Sequence, residues 1–213
     1  MDADATTPSY IDIVVSLISI PSIVTQFFLW ANLVSFIVGF TGNICSLLTF
    51  SRRSLRIIST SCLFMVLASS DTFFLLIRII DFVEYGLQVK VSYRQIDYDA
   101  YCRFRTFSLC VAQLFSAWIL VLIAIDRWIR TRFPFKANSI CVPKKVLIAA
   151  GILFIAVVGL NAHVLTPYFG LLLPGIPQLS CGANSLNYGY MQFYYYQWTI
   201  ILVCRAEKRL ISI

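Results

Sequence analysis

The chain has 213 residues, of which 59% are hydrophobic, 15% aromatic and only 13% charged. Average soluble domains are about 45–50% apolar and about 25% charged, so a water-soluble fold of this composition would expose large apolar patches. The mean hydropathy of +0.81 therefore excludes a soluble enzyme, a disordered chain and a nucleic-acid-binding protein. The net charge of +7 reflects basic residues that lie between apolar segments, where they mark one face of a membrane.

Apolar segments follow one another along most of the chain. A spanning helix needs about 20 mostly apolar residues. The sequence predicts an all-α, polytopic membrane helical bundle over residues 27–204. Its five spans are expected at about 27–50, 57–83, 102–128, 145–165 and 191–204. Residues 1–26 are expected to form an extracellular, partly apolar N-terminal segment without the basic start of a cleavable signal peptide, and residues 205–213 a short cytoplasmic tail.

Basic residues give the spans an orientation. They cluster after the first, third and fifth spans, at Arg52, Arg53 and Arg56, at Arg130, Arg132, Lys136 and Lys144, and at Arg205, Lys208 and Arg209. Loops rich in Lys and Arg stay in the cytoplasm. The sequence therefore predicts a multi-pass plasma-membrane protein with its N-terminus outside the cell.

Catalytic chemistry is not expected from this sequence. His163 is the only histidine, and no nucleophile, base and orienting residue fall at positions where they would converge. The seven cysteines are scattered and include no C-x-x-C pair. Cys102 and Cys181 both fall on the predicted outer side, where a disulfide is chemically permitted.

Asp71 lies in the middle of the second predicted span. A carboxylate at the bilayer centre costs roughly 2.5–3.5 kcal/mol, so it is expected to face the bundle interior. Asn43 and Ser116 fall at similar depths and offer oxygen atoms, which suits a small cation such as sodium. A protonated Asp71, hydrogen-bonded within the bundle, is the alternative.

Two further pairs of charged residues lie near span ends. At the inner end of the third span, Arg127 is either an interface anchor or the partner of Asp126 in an ion pair that opens and closes as a latch. Near the outer end of the second span, Arg78 and Asp81 are three residues apart and share a helix face. That face is either a polar vestibule for a ligand or a rim of side chains that reach toward water.

Several residues of the first four spans and the outer loop form a set with defined spacings. It consists of Gly42, Asn43, the segment 67–71 (Leu-Ala-Ser-Ser-Asp), Cys102, Asp126, Arg127, Trp128, Pro134, Phe135 and Cys181. Asn43 and Asp71 are 28 residues apart, and Cys102 and Arg127 are 25 apart. With these residues the chain resembles the rhodopsin-like G-protein-coupled receptors, which implies five spans of a seven-helix receptor fold, truncated before the sixth and seventh helices.

The resemblance assigns roles by position. Asp71, with Asn43 and Ser116, would line a sodium pocket, and a sodium ion is the one cofactor implied. Asp126, Arg127, Trp128, Pro134 and Phe135 would form the surface that activates a heterotrimeric G protein. Cys102 and Cys181 would form the disulfide over the ligand entrance.

Departures from the family pattern bear on the ligand and on helix packing. Leu109 occupies the position where amine receptors carry an aspartate, which argues against a biogenic amine. Together with Arg78, Asp81, Arg105 and Gln113, it suggests a pocket of the neuropeptide-receptor type. The fourth span also lacks its usual tryptophan.

Three functional interpretations follow. The first is a receptor that senses an extracellular ligand, with a peptide favoured over an amine, and couples to a G protein. The second is a non-signalling five-span chain that associates with full-length relatives. The third, less favoured, is a transporter or channel subunit; nucleic-acid binding is expected in none of the three.

Overall fold

The computed structural model of the chain describes residues 22–83, 95–171, 181–184 and 187–198. Its main helices are α1 (Ser22–Phe50), α2 (Ser59–Asp81), α3 (Gln95–Arg132), α4 (Pro134–Ile140) and α5 (Pro143–Asn161). Most of the predicted N-terminal segment, the second half of the fifth span and the tail 205–213 lie outside the described residues.

The end of the bundle at which Cys102 lies is called the outer end after its predicted orientation, and the opposite end, at which Asp126 lies, is called the inner end. The outer end carries the shorter elements. A 3-10 turn (Ala162–Leu165) continues α5, and two short strands, β1 (Phe169–Leu171) and β2 (Cys181–Ala183), pair antiparallel with Gly170 opposite Gly182. Helix α6 (Tyr188–Gln192) runs directly into a π-helical segment, Phe193–Trp198, where the start of the fifth span was predicted.

Among the residues that the structure describes, four helices are long and apolar enough to cross a membrane. They are Leu29–Phe50, Ser59–Ile80, Asp99–Arg132 and Pro143–Leu165, and they correspond to the first four predicted spans. The predicted all-α membrane bundle is therefore confirmed. Helix α3 is longer than predicted at both ends, because its polar first turns continue past the apolar stretch on which the prediction was based.

Proline and backbone geometry set the starts of the inner helices. Helices α4 and α5 each begin with a proline, Pro134 and Pro143, whose fixed φ suits the first helical turn and whose missing N–H is not needed there. The junction between them is therefore short. As a result, α4 lies at the inner end of α3 as a distinct surface helix and not as part of a span.

The core lies where α2, α3 and α5 meet. Its buried side chains come from all three helices: Leu63, Val111, Phe115, Ile119, Ile123, Ala150 and Val157. Helix α1 packs mainly against α2, with Gly39 close to Leu75: a Cβ at Gly39 would lie 3.0 Å from a Leu75 methyl carbon. The absence of a side chain at Gly39 therefore lets α1 approach α2 closely.

Candidate functional site

Asp126 is the centre of a polar network at the inner end of the bundle. Its side chain is only 4% exposed. Ser59 Oγ donates a hydrogen bond to Asp126 Oδ1 at 2.6 Å, and the Thr60 hydroxyl donates to the other carboxylate oxygen. Since Ser59 and Thr60 form the first turn of α2, this carboxylate ties the start of α2 to the end of α3.

Arg130 provides the charge that balances Asp126. Its Nε lies 3.2 Å from Asp126 Oδ2, one helical turn away. Its terminal nitrogen donates to Ser59 Oγ at 2.7 Å and to the Cys141 carbonyl oxygen at 3.3 Å. One guanidinium therefore holds together α2, α3 and the junction between α4 and α5.

The predicted ion pair between Asp126 and Arg127 is replaced by this arrangement. Consecutive helical residues point in different directions, whereas residues four apart lie on the same face. Arg127 is exposed, and its guanidinium carbon lies 5.5 Å from the centre of the Phe64 ring. In this structure Arg130, and not Arg127, pairs with Asp126, and Arg127 is available at the surface. A role of Arg127 in an activation latch stays a prediction.

The predicted G-protein-facing residues are exposed at this same inner end. The Phe135 side chain is 97% exposed near the start of α4, while Ala137 on that helix is buried. Trp128 is 57% exposed and packs edge-on against the Phe133 ring at 5.8 Å. The inner end thus presents a cation and two aromatic side chains beside a buried, hydrogen-bonded carboxylate.

Cys141 lies at the α4–α5 junction, next to the Asp126 network. Burial raises the pKa of the Cys141 thiol, and its hydrogen bond to the Asp126 carboxylate raises that pKa further. The thiol form is therefore favoured at neutral pH.

Asp71 is partly buried in the middle of α2. Beside it, Ser70 Oγ donates to the Ala112 carbonyl at 3.3 Å, and Ser116 Oγ donates to Ser70 Oγ at 3.0 Å. Within the described ranges, no hydrogen bond joins Asp71 to Asn43 or Ser116. The three predicted sodium ligands thus lie on α1, α2 and α3 without direct contact, and sodium binding stays a prediction.

A disulfide and an ion pair brace the outer end. Cys102 and Cys181 are joined by the disulfide that the resemblance implied. On α3, Asp99 and Arg103 flank Cys102 and form an ion pair. Arg103 Nε also donates a hydrogen bond to the Phe169 carbonyl oxygen at 2.8 Å. Both contacts fix the β1–β2 hairpin over the outer end of α3.

An aromatic cluster surrounds the disulfide. Tyr194 stacks against Tyr190 and meets the Phe169 ring edge-on at 5.1 Å. The Tyr190 hydroxyl lies 2.9 Å from His163 Nδ1, and burial raises the pKa of Tyr190 to about 12. The hydroxyl is therefore protonated at physiological pH and acts as a neutral hydrogen-bond donor to the 3-10 turn.

The predicted ligand-pocket residues lie in two places. Arg78 lines a cavity of about 460 Å³ between α1 and α2 and lies over the Phe74 ring, 5.4 Å from its centre. Arg105 and Leu109 are half-buried on α3, and Gln113 is exposed there; none of these three lines that cavity. The Asp81 side chain lies outside the described residues.

The comparison with protein families finds a match over most of the chain. Residues 30–196, well over half of the chain, match the model of the serpentine type 7TM GPCR chemoreceptor Srw. The chain belongs to the Srw family. No curated protein matches it.

Membership in Srw makes this chain a G-protein-coupled-receptor relative and a multi-pass membrane protein. The receptor prediction is therefore confirmed at the level of the superfamily. The match is to chemoreceptors and does not name the neuropeptide-receptor class that the sequence suggested. Srw is also a receptor family and not an enzyme family.

Sequence reasoning missed several residues that build the two ends of this Srw chain. They are Ser59, Thr60, Asp99, Arg103, Arg130 and Cys141. Two of the contacts carry a sequence signal, because Asp99 and Arg103, like Asp126 and Arg130, are four residues apart on one helix. The contacts between helices carry none, since they depend on how α2, α3 and the α4–α5 junction pack.

Proposed function

We propose that this chain acts as a plasma-membrane receptor that senses an extracellular ligand and activates a heterotrimeric G protein. The observation that carries the proposal is the inner surface formed by Arg127, Trp128 and Phe135, all exposed at the end of the bundle that holds Asp126. Membership in the Srw chemoreceptor family supports the same activity. The base of this surface is held together by Asp126 and Arg130, which are four residues apart on α3 and form an ion pair.

Charge supports the orientation that this proposal requires. The exposed Arg52, Arg53 and Arg56 precede α2 at the same end as Asp126, and the exposed Lys144 lies in the first turn of α5 there. Such clusters remain in the cytoplasm. The Cys102–Cys181 disulfide lies at the opposite end, consistent with an extracellular, oxidising environment.

The proposed ligand is a peptide and not a biogenic amine. Leu109 is half-buried on α3, and an aliphatic side chain offers no counter-ion to an ammonium group. The outer hairpin and the aromatic cluster beside it offer backbone groups and rings, which suit an extended, partly apolar ligand. This preference extends beyond the family match, which identifies no ligand.

A sodium ion near Asp71 is part of the same proposal. The support is that Ser116 donates a hydrogen bond to Ser70, the residue next to Asp71, so hydroxyl oxygens lie near this level of α2 and α3. Sodium should raise the melting temperature of the purified protein more than potassium does. The Asp71→Asn variant should lose this difference, and an unchanged difference would exclude Asp71 as a ligand.

The test is nucleotide exchange on G proteins in membranes that contain the protein. Membranes are challenged with a panel of peptides and a panel of amines and other small metabolites, and bound GTPγS is measured. Arg127→Gln and Phe135→Ala should lower the evoked exchange at least tenfold. Arg132→Gln and Ile140→Ala, exposed controls on α3 and α4, should retain it.

Two results would contradict the proposal. Exchange that survives Arg127→Gln and Phe135→Ala unchanged would show that the inner surface is not the coupling site. No exchange with any ligand, from protein shown by surface labelling to reach the plasma membrane, would exclude signalling and favour a non-signalling chain that associates with relatives. Responses to amines alone would contradict only the peptide preference.

A further inference from the structure

A long, open groove is lined by residues of α2, α3 and α5. Its volume is about 780 Å³. The α5 residues that line it reach from Pro143 to Val158. These two are 15 positions apart, which corresponds to about 22 Å at about 1.5 Å per residue. One leaflet of a bilayer provides about 15 Å of hydrocarbon, half of the total of about 30 Å. The groove is therefore long enough to take a whole acyl chain.

The walls of the groove present hydrocarbon along most of its length. Aromatic and aliphatic side chains dominate, including Phe73, Phe104 and Leu147. Two of the three serine hydroxyls among them are engaged within the protein: Ser69 donates to the Met65 carbonyl at 2.8 Å, and Ser70 donates to that of Ala112. The groove therefore offers few hydrogen-bonding groups to an occupant and suits a fatty acyl chain.

One end of the groove is basic. Arg56 lines it and is exposed, on the same side as Pro143. Lys144 follows Pro143 directly, and Arg52 and Arg53 precede Arg56; all three are exposed. A single apolar groove that ends in a cluster of cations matches an amphiphile with one long chain beside an anionic head.

We propose that this groove binds an anionic phospholipid, with one acyl chain between α2, α3 and α5 and the phosphate paired with Arg56. The lipid would pack against α2, α3 and α5, the three helices that meet in the core, and so link the apolar side of the bundle to its basic inner end. The site is separate from the proposed ligand entrance and from the G-protein surface. Signalling is therefore not needed to detect it.

The experiment uses the full chain in nanodiscs with the same lipids in both leaflets, so the result does not depend on orientation. The probes are phosphatidylglycerol and phosphatidylcholine that carry an identical photoactivatable acyl chain, each present at low mole fraction. After irradiation, crosslinked peptides are mapped and their yields are compared. Phosphatidylglycerol should label groove residues about fivefold more than phosphatidylcholine, as expected for one basic residue near a membrane surface.

Matched variants separate the groove from general charge and hydrophobicity. Arg56→Gln should reduce the phosphatidylglycerol yield to that of phosphatidylcholine, whereas Arg53→Gln, which removes the same charge outside the groove, should leave most of the preference. Leu147→Trp should fill the groove and lower labelling by both lipids. Ile148→Trp, on the neighbouring exposed face of α5, should leave labelling unchanged.

Three results would overturn the proposal. The first is equal labelling by the two lipids in the unmodified protein, and the second is labelling confined to residues outside the groove. The third is an equal loss of preference in Arg56→Gln and Arg53→Gln, which would indicate a diffuse charge effect. Size-exclusion profiles of each variant show whether it is folded, and a misfolded Leu147→Trp is replaced by the smaller Leu147→Phe.

Discussion

Arg130, and not the adjacent Arg127, is predicted to be the structural partner of Asp126. The perturbation is Arg130→Gln, which removes a guanidinium that contacts Asp126, Ser59 and the Cys141 carbonyl. Hydrogen bonds to charged groups contribute about 1.5–3 kcal/mol each before solvent screening. The Arg130 side chain is 34% exposed, so we expect a net loss of about 2 kcal/mol in the free energy of unfolding.

Arg127→Gln is the matched control. Arg127 is exposed and its stacking on Phe64 is worth about 0.5–1 kcal/mol at most. Reversible unfolding in mixed micelles gives both free energies. Paired with Asp126→Asn in double-mutant cycles, Arg130→Gln should show a coupling energy of about 1–2 kcal/mol and Arg127→Gln a coupling energy near zero.

Equal coupling energies in the two cycles, or a larger coupling of Asp126 to Arg127, would refute Arg130 as the structural partner of Asp126. The same pair of variants also separates stability from function. Arg127→Gln should keep the protein stable and remove evoked nucleotide exchange. Arg130→Gln should lower both stability and evoked exchange, because it removes contacts that join α2, α3 and the α4–α5 junction beneath the inner surface.

Three further predictions concern the outer hairpin and the inner junction. Cys102→Ser should lower the free energy of unfolding by about 2–4 kcal/mol and make the melting temperature insensitive to reductant; an unchanged melt would show that the bridge adds no stability. Gly170→Ala should lower the melting temperature, because a Cβ there would overlap the Asp99 carboxylate, whereas Gly42→Ala, with nothing within 4 Å, should not; equal melts would disprove the close contact. Burial raises the pKa of the Cys141 thiol above its usual 9.0, so the contribution of this thiol to stability is present below pH 9 and falls as pH rises through the higher folded pKa. Alkylation of Cys141 by maleimide, followed by mass spectrometry, should therefore accelerate at higher pH than alkylation of a small free thiol. An ordinary pH profile would contradict the burial.

The sequence was sufficient for the spans because lipid imposes one strong requirement. A backbone in hydrocarbon must satisfy its own hydrogen bonds, so every apolar stretch of about 20 residues becomes a helix. Helices α1, α2, α3 and α5 follow from that requirement alone. Helix α4 does not, because its seven residues are amphipathic and too short for periodicity to distinguish them from a loop.

Contacts between helices were beyond the reach of sequence reasoning. Gly170 meets Asp99 across 71 positions of the chain, and neither residue type signals the other. The Cys102–Cys181 pairing came from a family resemblance, since two cysteines on one side of a membrane do not specify a bond. Such contacts depend on how the helices pack. A single sequence indicates which side chains are buried, but many helix arrangements would bury the same side chains.

The position of Asp126 shows how a local rule and a tertiary contact combine. Helix geometry makes Arg130 the available cation on the same face, since it lies one turn further along α3. Packing of α2 then brings Ser59 within 2.6 Å of the carboxylate, so that the acid is held from two helices and needs no bond from its neighbour. Arg127 is consequently left at the surface beside Trp128, where it can contact a partner without first breaking an ion pair. We therefore expect a switch at this end of the bundle to involve a shift of α2 or of the α4–α5 junction relative to Arg130, whose contacts join these elements.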